Sequence, residues 1–273
     1  MIIDGKSISK EIIEEVKKGI LEAGTFNMTA VAYEEDVESL VYFNSIKKNA
    51  EKIGINFNLL VIKGEQLIER IDELNRNKSV DAIIVGRPFP KGITNDMVAL
   101  SLDPDKDADC VTPQNMGQLY LGIENVAPAT ARAAIDILER NNIELRGKSA
   151  VIINRSVTVG RPLSQMLLNR DVTVTVAHSK TKDIEGIIER SDIVFLAVGK
   201  AGYLKASTLK SKKIIVDIGI NVVDGKVKGD FDPDQEREGI DYTPVPGGVG
   251  SVTSAEILRN GLILAKSRRG EKD

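Results

Sequence analysis

The run Asn154-Arg155-Ser156-Val157-Thr158-Val159-Gly160-Arg161-Pro162 follows the apolar segment Ser149–Ile153 and leads into a helical pattern. A strand, a tight turn and a helix in that order open a βαβ unit, and the first N–H groups of such a helix point at an anion such as a pyrophosphate. Pro162 suits the first helical turn, where a missing N–H is harmless. Of a G-x-G-x-x-G pattern Gly160 alone is present, so this turn reads equally well as an ordinary βα connection. The segment after the following strand sharpens the reading. A site for an unphosphorylated dinucleotide places Asp or Glu there for the ribose hydroxyls, whereas this chain has Ala177-His178-Ser179-Lys180-Thr181. Hydroxyls and cations at that place, with Arg155 from the first turn, suit a 2′-phosphate, so NADP is the expected cofactor. His178 reads as a hydrogen-bonded loop residue. Cys110 has no histidine near it in sequence to activate it as a nucleophile.

The elements that must position these groups alternate along the whole chain. Apolar runs predict strands over 29–33, 58–62, 81–85, 149–153, 172–176, 193–197 and 214–218. Continuous Val/Ile/Leu/Ala stretches of that kind belong to strands buried on both faces of a parallel sheet. Amphipathic spacing predicts helices over 7–21, 37–53, 65–74, 131–140, 162–169 and 184–190, with a last one over 254–266. The order is α/β with right-handed crossovers. Arg87-Pro88-Phe89-Pro90 ends the third strand, because two prolines remove ladder donors. Asp103-Pro104-Asp105-Lys106-Asp107-Ala108-Asp109 reads as a polar loop, and Asp224-Gly225 as the turn of a tight hairpin. Domain crossings are expected near 126–128 and within 242–250.

Composition narrows the class of partner. A chain of 273 residues has room for two modest domains. Its apolar runs are too short to span a bilayer, and no N-terminal segment reads as a signal peptide, so a cytoplasmic protein is expected. Lys+Arg 37 against Asp+Glu 40 gives a net charge of −3, without the basic excess that a nucleic-acid surface needs. One cysteine and one histidine argue against a disulfide scaffold and a zinc site, and no metal is expected.

Taken together, these motifs resemble the methylenetetrahydrofolate dehydrogenase/methenyltetrahydrofolate cyclohydrolase (FolD) family over nearly the whole chain. The pieces that carry the resemblance are Arg155-Ser156-x-x-Val159-Gly160-x-Pro162, His178-Ser179-x-Thr181, Asp217-Ile218-Gly219-Ile220-Asn221 and Thr243-Pro244-Val245-Pro246-Gly247-Gly248-Val249-Gly250. Asp105-Lys106-Asp107-Ala108-Asp109 and Pro88-Phe89-Pro90 add to them. The resemblance implies an N-terminal three-layer α/β folate domain (1–126 plus 246–273) and a C-terminal NADP-binding Rossmann domain with a parallel sheet (127–245). It implies a homodimer whose cleft holds folate on one side and NADP on the other. Carried over by position, Asn154, Arg155, Ser156, Ser179 and Ile220 contact NADP. Tyr42, Asp109, Pro246, Gly247 and Gly248 line the folate pocket, and Tyr42 and Asp109 are catalytic, with Lys47 as the replacement cation for the family's lysine, whose own position reads Ile46. A carboxylate at 109 can accept paired hydrogen bonds from the amino-pyrimidinone edge of a pterin.

The chain departs from the family pattern at two partnered places. The lysine one helical turn after the tyrosine reads Ile46, and the glutamine of Gln-Leu-Pro-Leu-Pro reads Gly86, followed by Arg87. Lys47 and Lys48 follow Ile46, but each further residue turns the side chain by about 100° around the helix. The implied reactions are oxidation of 5,10-methylenetetrahydrofolate and hydrolysis of the methenyl product to 10-formyltetrahydrofolate. Alternatives are a non-catalytic NADP- or folate-binding module and a Rossmann dehydrogenase of another small substrate.

Overall fold

The computed structural model describes residues 1–63, 66–234 and 238–270. The chain separates into two compact units, Glu11–Ala129 with Ile257–Asp273, and Met1–Lys10 with Thr130–Glu256.

In the first of these, α1 (Gly5–Ala23) precedes β1 (Asn27–Tyr33), α2 (Val37–Lys52), β2 (Asn56–Ile62), α3 (Leu67–Arg76) and β3 (Ala82–Val85). The helix expected over 65–74 begins at Glu65, which lies outside the described residues; its described part starts at Leu67. The strands pair in parallel in the order β2-β1-β3, so the chain steps outward through α2 and returns across β1 through α3. Every interior position of β1 is buried, as a central parallel strand requires. Val31, Ile62, Leu67, Ile71, Ile83 and Val98 form the core on one side of this sheet.

Two short helices, α4 (Asn95–Ser101) and α5 (Pro113–Tyr120), bracket the run that the sequence presents as a polar loop. It is not a solvated loop: Lys106, Asp107 and Ala108 are all buried. Asp107 makes a parallel bridge with Ile83, and Ala108 N donates to Ile83 O at 3.0 Å, so the run lies beside β3. Hydrogen bonds make the burial tolerable. Lys106 Nζ donates to the carbonyls of Leu74, Asn75 and Asn77, satisfying acceptors left open where α3 ends. The Asp107 carboxylate accepts from Val111 N, Thr112 N and Asn115 Nδ2.

The other unit is built on a five-stranded parallel sheet. After α6 (Ala129–Glu139) come β4 (Ser149–Ile153), α7 (Gly160–Leu168), β5 (Thr173–Ala177), α8 (Ile184–Arg190), β6 (Ile193–Leu196), β7 (Leu204–Lys205) and β8 (Lys213–Asp217). A hairpin of β9 (Asn221–Val223) and β10 (Lys226–Lys228) turns on Asp224-Gly225. Both of its central residues have positive φ, which suits a primed turn. Then follow β11 (Phe231–Asp232), which pairs with β7, and β12 (Ile240–Tyr242), before α9 (Val249–Arg268). The sheet order is β12-β8-β6-β4-β5.

The units do not share the bounds of the expected domains. Met1–Lys10 and the stretch from 246 to Glu256 group with the five-stranded unit instead of the three-stranded one. The cause is backbone pairing: Ile2 bridges Tyr242 in parallel, Ile3 N donates to Tyr242 O at 2.8 Å, and Gly5 N donates to Gly247 O at 2.9 Å. The first residues thus extend the sheet beyond β12.

Candidate active site

In the five-stranded unit the chain leaves β4 for β5 on one side, then crosses back to place β6 on the other. Such a switch point opens a crevice at the carboxyl ends of the strands. The turn from β4 into α7 sits there, and Asn154 holds it together. Asn154 Oδ1 accepts from Ser156 N at 2.7 Å and Gly160 N at 3.1 Å, while its Nδ2 donates to Ala197 O at 2.6 Å. The side chain expected to contact the cofactor therefore braces the turn, and ties it to the end of β6. Ser156 Oγ accepts from Val159 N at 3.0 Å. Glycine is required at 160, since a Cβ would stand 2.2 Å from Asn154 O.

Arg155 is exposed and, among the described residues, has no hydrogen-bond or ion-pair partner. Beside it, at the end of β5, His178 N donates to Thr181 Oγ1 and Thr181 N to His178 O, folding 178–181 into a turn that exposes Ser179 and Lys180. Exposed Val157, Val198 and Ile220 follow β4, β6 and β8 and give the same end of the sheet an apolar rim. Val198 had no signal in the sequence beyond its place after a strand. A free guanidinium, an ammonium, a hydroxyl and an apolar rim, with no acid after β5, fit NADP.

Behind this rim lie two buried acids. Asp230 Oδ atoms accept from Val198 N at 2.6 Å, Gly199 N at 3.0 Å, Lys200 N at 2.8 Å and Asn221 Nδ2 at 3.0 Å. Asp217 accepts from Gly219 N, Asp230 N and Phe231 N. Burial pushes Asp217 up to about 6 in spite of those three donors. A Cβ at Gly219 would collide with the Asp230 carboxylate, and one at Gly229 with that of Asp217, which explains both glycines. The loop 246–248 belongs to this unit also, folded over Gly5 and Lys6, with Gly247 at φ 106.

Tyr42 and Asp109 lie in the three-stranded unit. On α2 the buried face is Ser39, Phe43, Ile46 and Ala50, and Tyr42 is half-buried beside Phe43, ring centroids 5.7 Å apart. Ile46 is 1% exposed, so the lysine position has become core. The glutamine position is closed as well. A Cβ at Gly86 would meet Ser39 Oγ at 2.9 Å and Phe43 Cε2 at 3.0 Å. Lys47, expected as the stand-in cation, has its Nζ 3.8 Å from Glu51 Oε1. The cation at Asp109 is Arg87, whose Nη1 stands 3.2 Å from Asp109 Oδ2. Burial pushes Asp109 above the usual carboxylate range, Arg87 pulls it down, and Asp107 pushes it up again.

Comparisons with known proteins match both halves of this arrangement. Residues 3–109 match the family model described as tetrahydrofolate dehydrogenase/cyclohydrolase, catalytic domain, and residues 128–269 match its NAD(P)-binding domain. The chain is 42% identical over 272 residues to the bifunctional protein FolD of Thermotoga maritima, covering 98% of this chain and 100% of that one. It resembles the crystal structure of the bifunctional 5,10-methylenetetrahydrofolate dehydrogenase/cyclohydrolase from Thermoplasma acidophilum, with a TM-score of 0.92 and 34% identity over 99% of this chain and 100% of that one. The Trypanosoma brucei enzyme, complexed with NADP cofactor and inhibitor, aligns with a TM-score of 0.90 and 30% identity over 98% of this chain and 97% of that one. With both family domains in order along one chain and full-length identity at this level, the protein belongs to the tetrahydrofolate dehydrogenase/cyclohydrolase family.

Proposed function

We propose that this protein oxidises 5,10-methylenetetrahydrofolate to 5,10-methenyltetrahydrofolate with NADP, and hydrolyses the product to 10-formyltetrahydrofolate. The observation that carries this reading is Asp109, a carboxylate held beside the end of β3 and aimed at a cation, where a pterin edge can be received. Neither a non-catalytic module nor a dehydrogenase of another substrate is favoured, since both family domains are matched.

Asp109 and Tyr42 are assigned to the folate pocket. Arg155, Ser156 and Ser179 are assigned to the phosphates and ribose of NADP, Ile220 to its apolar side, and Asn154 to bracing the turn that receives it. NADP supplies the hydride acceptor when bound. For that step the chain's part is positioning, because the folate nitrogen lone pair drives hydride loss and no general base is needed. Buried Ile46 and sealed Gly86 leave it untouched.

Hydrolysis has other needs, since water must lose a proton and a nitrogen must gain one. Arg87 cannot serve, because a guanidinium does not give up its proton in proteins. Lys47 is the assigned group. Its ion pair with Glu51 is exposed, and exposed pairs contribute only about 0–1 kcal/mol, so the stem is free to turn. With methylenetetrahydrofolate and NADP, the protein should yield NADPH and formyl product faster than buffer does. Lys47→Ala should slow formyl production by about 10²-fold and let methenyl product accumulate, with NADPH formation changed less than threefold. Unchanged formyl production in that variant would remove Lys47 from the mechanism.

A homodimer and a cytoplasmic location belong to the same proposal. Supporting the dimer, β5 is an edge strand with Val176 38% exposed, and an uncovered edge can pair with a second copy. Sedimentation at the mass of a single chain would refute it. Among the described residues no helix is long and apolar enough to cross a membrane.

A further inference from the structure

We infer that Arg87 is a positioning residue for the folate pocket, holding the Asp109 carboxylate in its charged, hydrogen-bond-accepting form for the pterin. This rests on the assignment of Asp109 to that pocket. It goes beyond the family pattern, which has a leucine where this chain has Arg87.

The guanidinium is fixed from several sides. Nη1 meets Asp109 Oδ2 at 3.2 Å, Nε donates to Asn95 Oδ1 at 3.4 Å, and Cζ lies 5.1 Å from the centroid of the Phe89 ring. Its backbone is held too: Arg87 O accepts from Ser39 Oγ at 3.0 Å, and Gly86 N donates to Val31 O at 2.8 Å. The bridge of Asp107 to Ile83 sets the register that brings Asp109 alongside Arg87, two residues past the end of β3. Arg87, Asp107 and Asp109 line a small cavity with Ile83, Val85, Val98, Leu102 and Val111, so the surroundings of the pair are apolar.

The charged groups facing Asp109 are Arg87 and Asp107. Asp107 is spent on Val111 N, Thr112 N and Asn115 Nδ2, and its charge opposes ionisation of Asp109. Burial opposes it also; Arg87 is the charge that favours the carboxylate, helped by a hydrogen bond from the Ala129 backbone. Only the ionised group is an acceptor at both oxygens; once protonated, one oxygen becomes a donor and meets the pterin's N–H groups wrongly. Without Arg87 the Asp109 pKa moves further up, so the fraction able to bind substrate falls as pH falls.

The test uses the full chain with NADP and follows NADPH formation from methylenetetrahydrofolate between pH 6 and 8.5. Arg87→Leu should raise KM about tenfold at pH 6 and less than threefold at pH 8.5, with kcat changed less than threefold throughout. Arg87→Lys, which keeps the charge, should recover most of the lost affinity at pH 6. Arg87→Gln keeps bulk without charge, and repeats the measurement if the leucine variant does not fold. A KM rise that is the same at every pH, or no rise, overturns the inference. Asp109→Asn separates the two levels. If it leaves KM unchanged, the folate-pocket reading fails and the role of Arg87 falls with it. If it raises KM while the Arg87 variants match the parent, the role of Arg87 alone is refuted.

Discussion

Replacing Asp109 with alanine is expected to raise the KM for methylenetetrahydrofolate about a hundredfold and leave the fold intact. Hydrogen bonds to a charged acceptor contribute about 1.5–3 kcal/mol each, and a pterin edge offers two donors. Their joint loss is of order 3 kcal/mol, and each 1.4 kcal/mol is about tenfold in affinity. Removing a functional carboxylate should cost the fold little. Burial already pushes Asp109 above the ordinary carboxylate range, which means that its charged form is held at a cost. Its partner Arg87 keeps about a third of its side chain in solvent (30%), so the unpaired cation stays hydrated. NADP affinity, read by NADPH fluorescence, should change less than twofold, because Arg155, Ser156 and Ser179 lie in the other unit. A KM within threefold of the parent would take Asp109 out of the substrate site.

A second large effect is expected at Asp230, this time on stability. Alanine there strands the N–H groups of Val198, Gly199 and Lys200 and the amide of Asn221 in one stroke. The four bonds are part-buried and water can reach the freed donors, so the loss stays below the full cost of about 1–3 kcal/mol per unmade bond, and about 3 kcal/mol in all is expected. For a unit of this size that is a fall in Tm of roughly 10 °C. The neighbouring acid adds to it, since Asp217 accepts from Asp230 N and Phe231 N and shares the displaced segment. Asp230→Asn, which loses one acceptor and keeps the shape, should fall between the alanine variant and the parent. NADP should bind the alanine variant more weakly too, because 198–200 follows β6 directly beside the β4–α7 turn. A Tm within 2 °C of the parent would show that the four bonds together are dispensable.

Much of the architecture follows from patterns within a few residues. Strands at 149–153 and 193–197 are apolar runs bounded by breakers, and the helix over 184–190 lies where its spacing puts it. The left-handed turn at Asp224-Gly225 is legible because few residues tolerate positive φ. The absence of an acid from 177–181, after β5, is likewise a local fact, and it points to NADP by itself. The family follows from a set of short motifs kept in order.

Tertiary structure decided what depends on distant partners. The run 103–109 has the composition of a solvated loop, yet Lys106 and Asp107 are buried, because carbonyls at the end of α3 and N–H groups entering α5 supply their hydrogen bonds. Asn154, expected at the cofactor, also makes three bonds to its own turn and to Ala197, which no local pattern announces. In sequence, Ile46 and Gly86 read as the joint loss of a partnered lysine and glutamine. In space Ile46 packs into the core, while Ser39 and Phe43 fill the room that a side chain at 86 would need. Arg87 and Asp109 are 22 residues apart, and nothing local pairs them. Periodicity reports which face of an element is apolar; which charge meets which is set by strand register, here the bridge of Asp107 to Ile83.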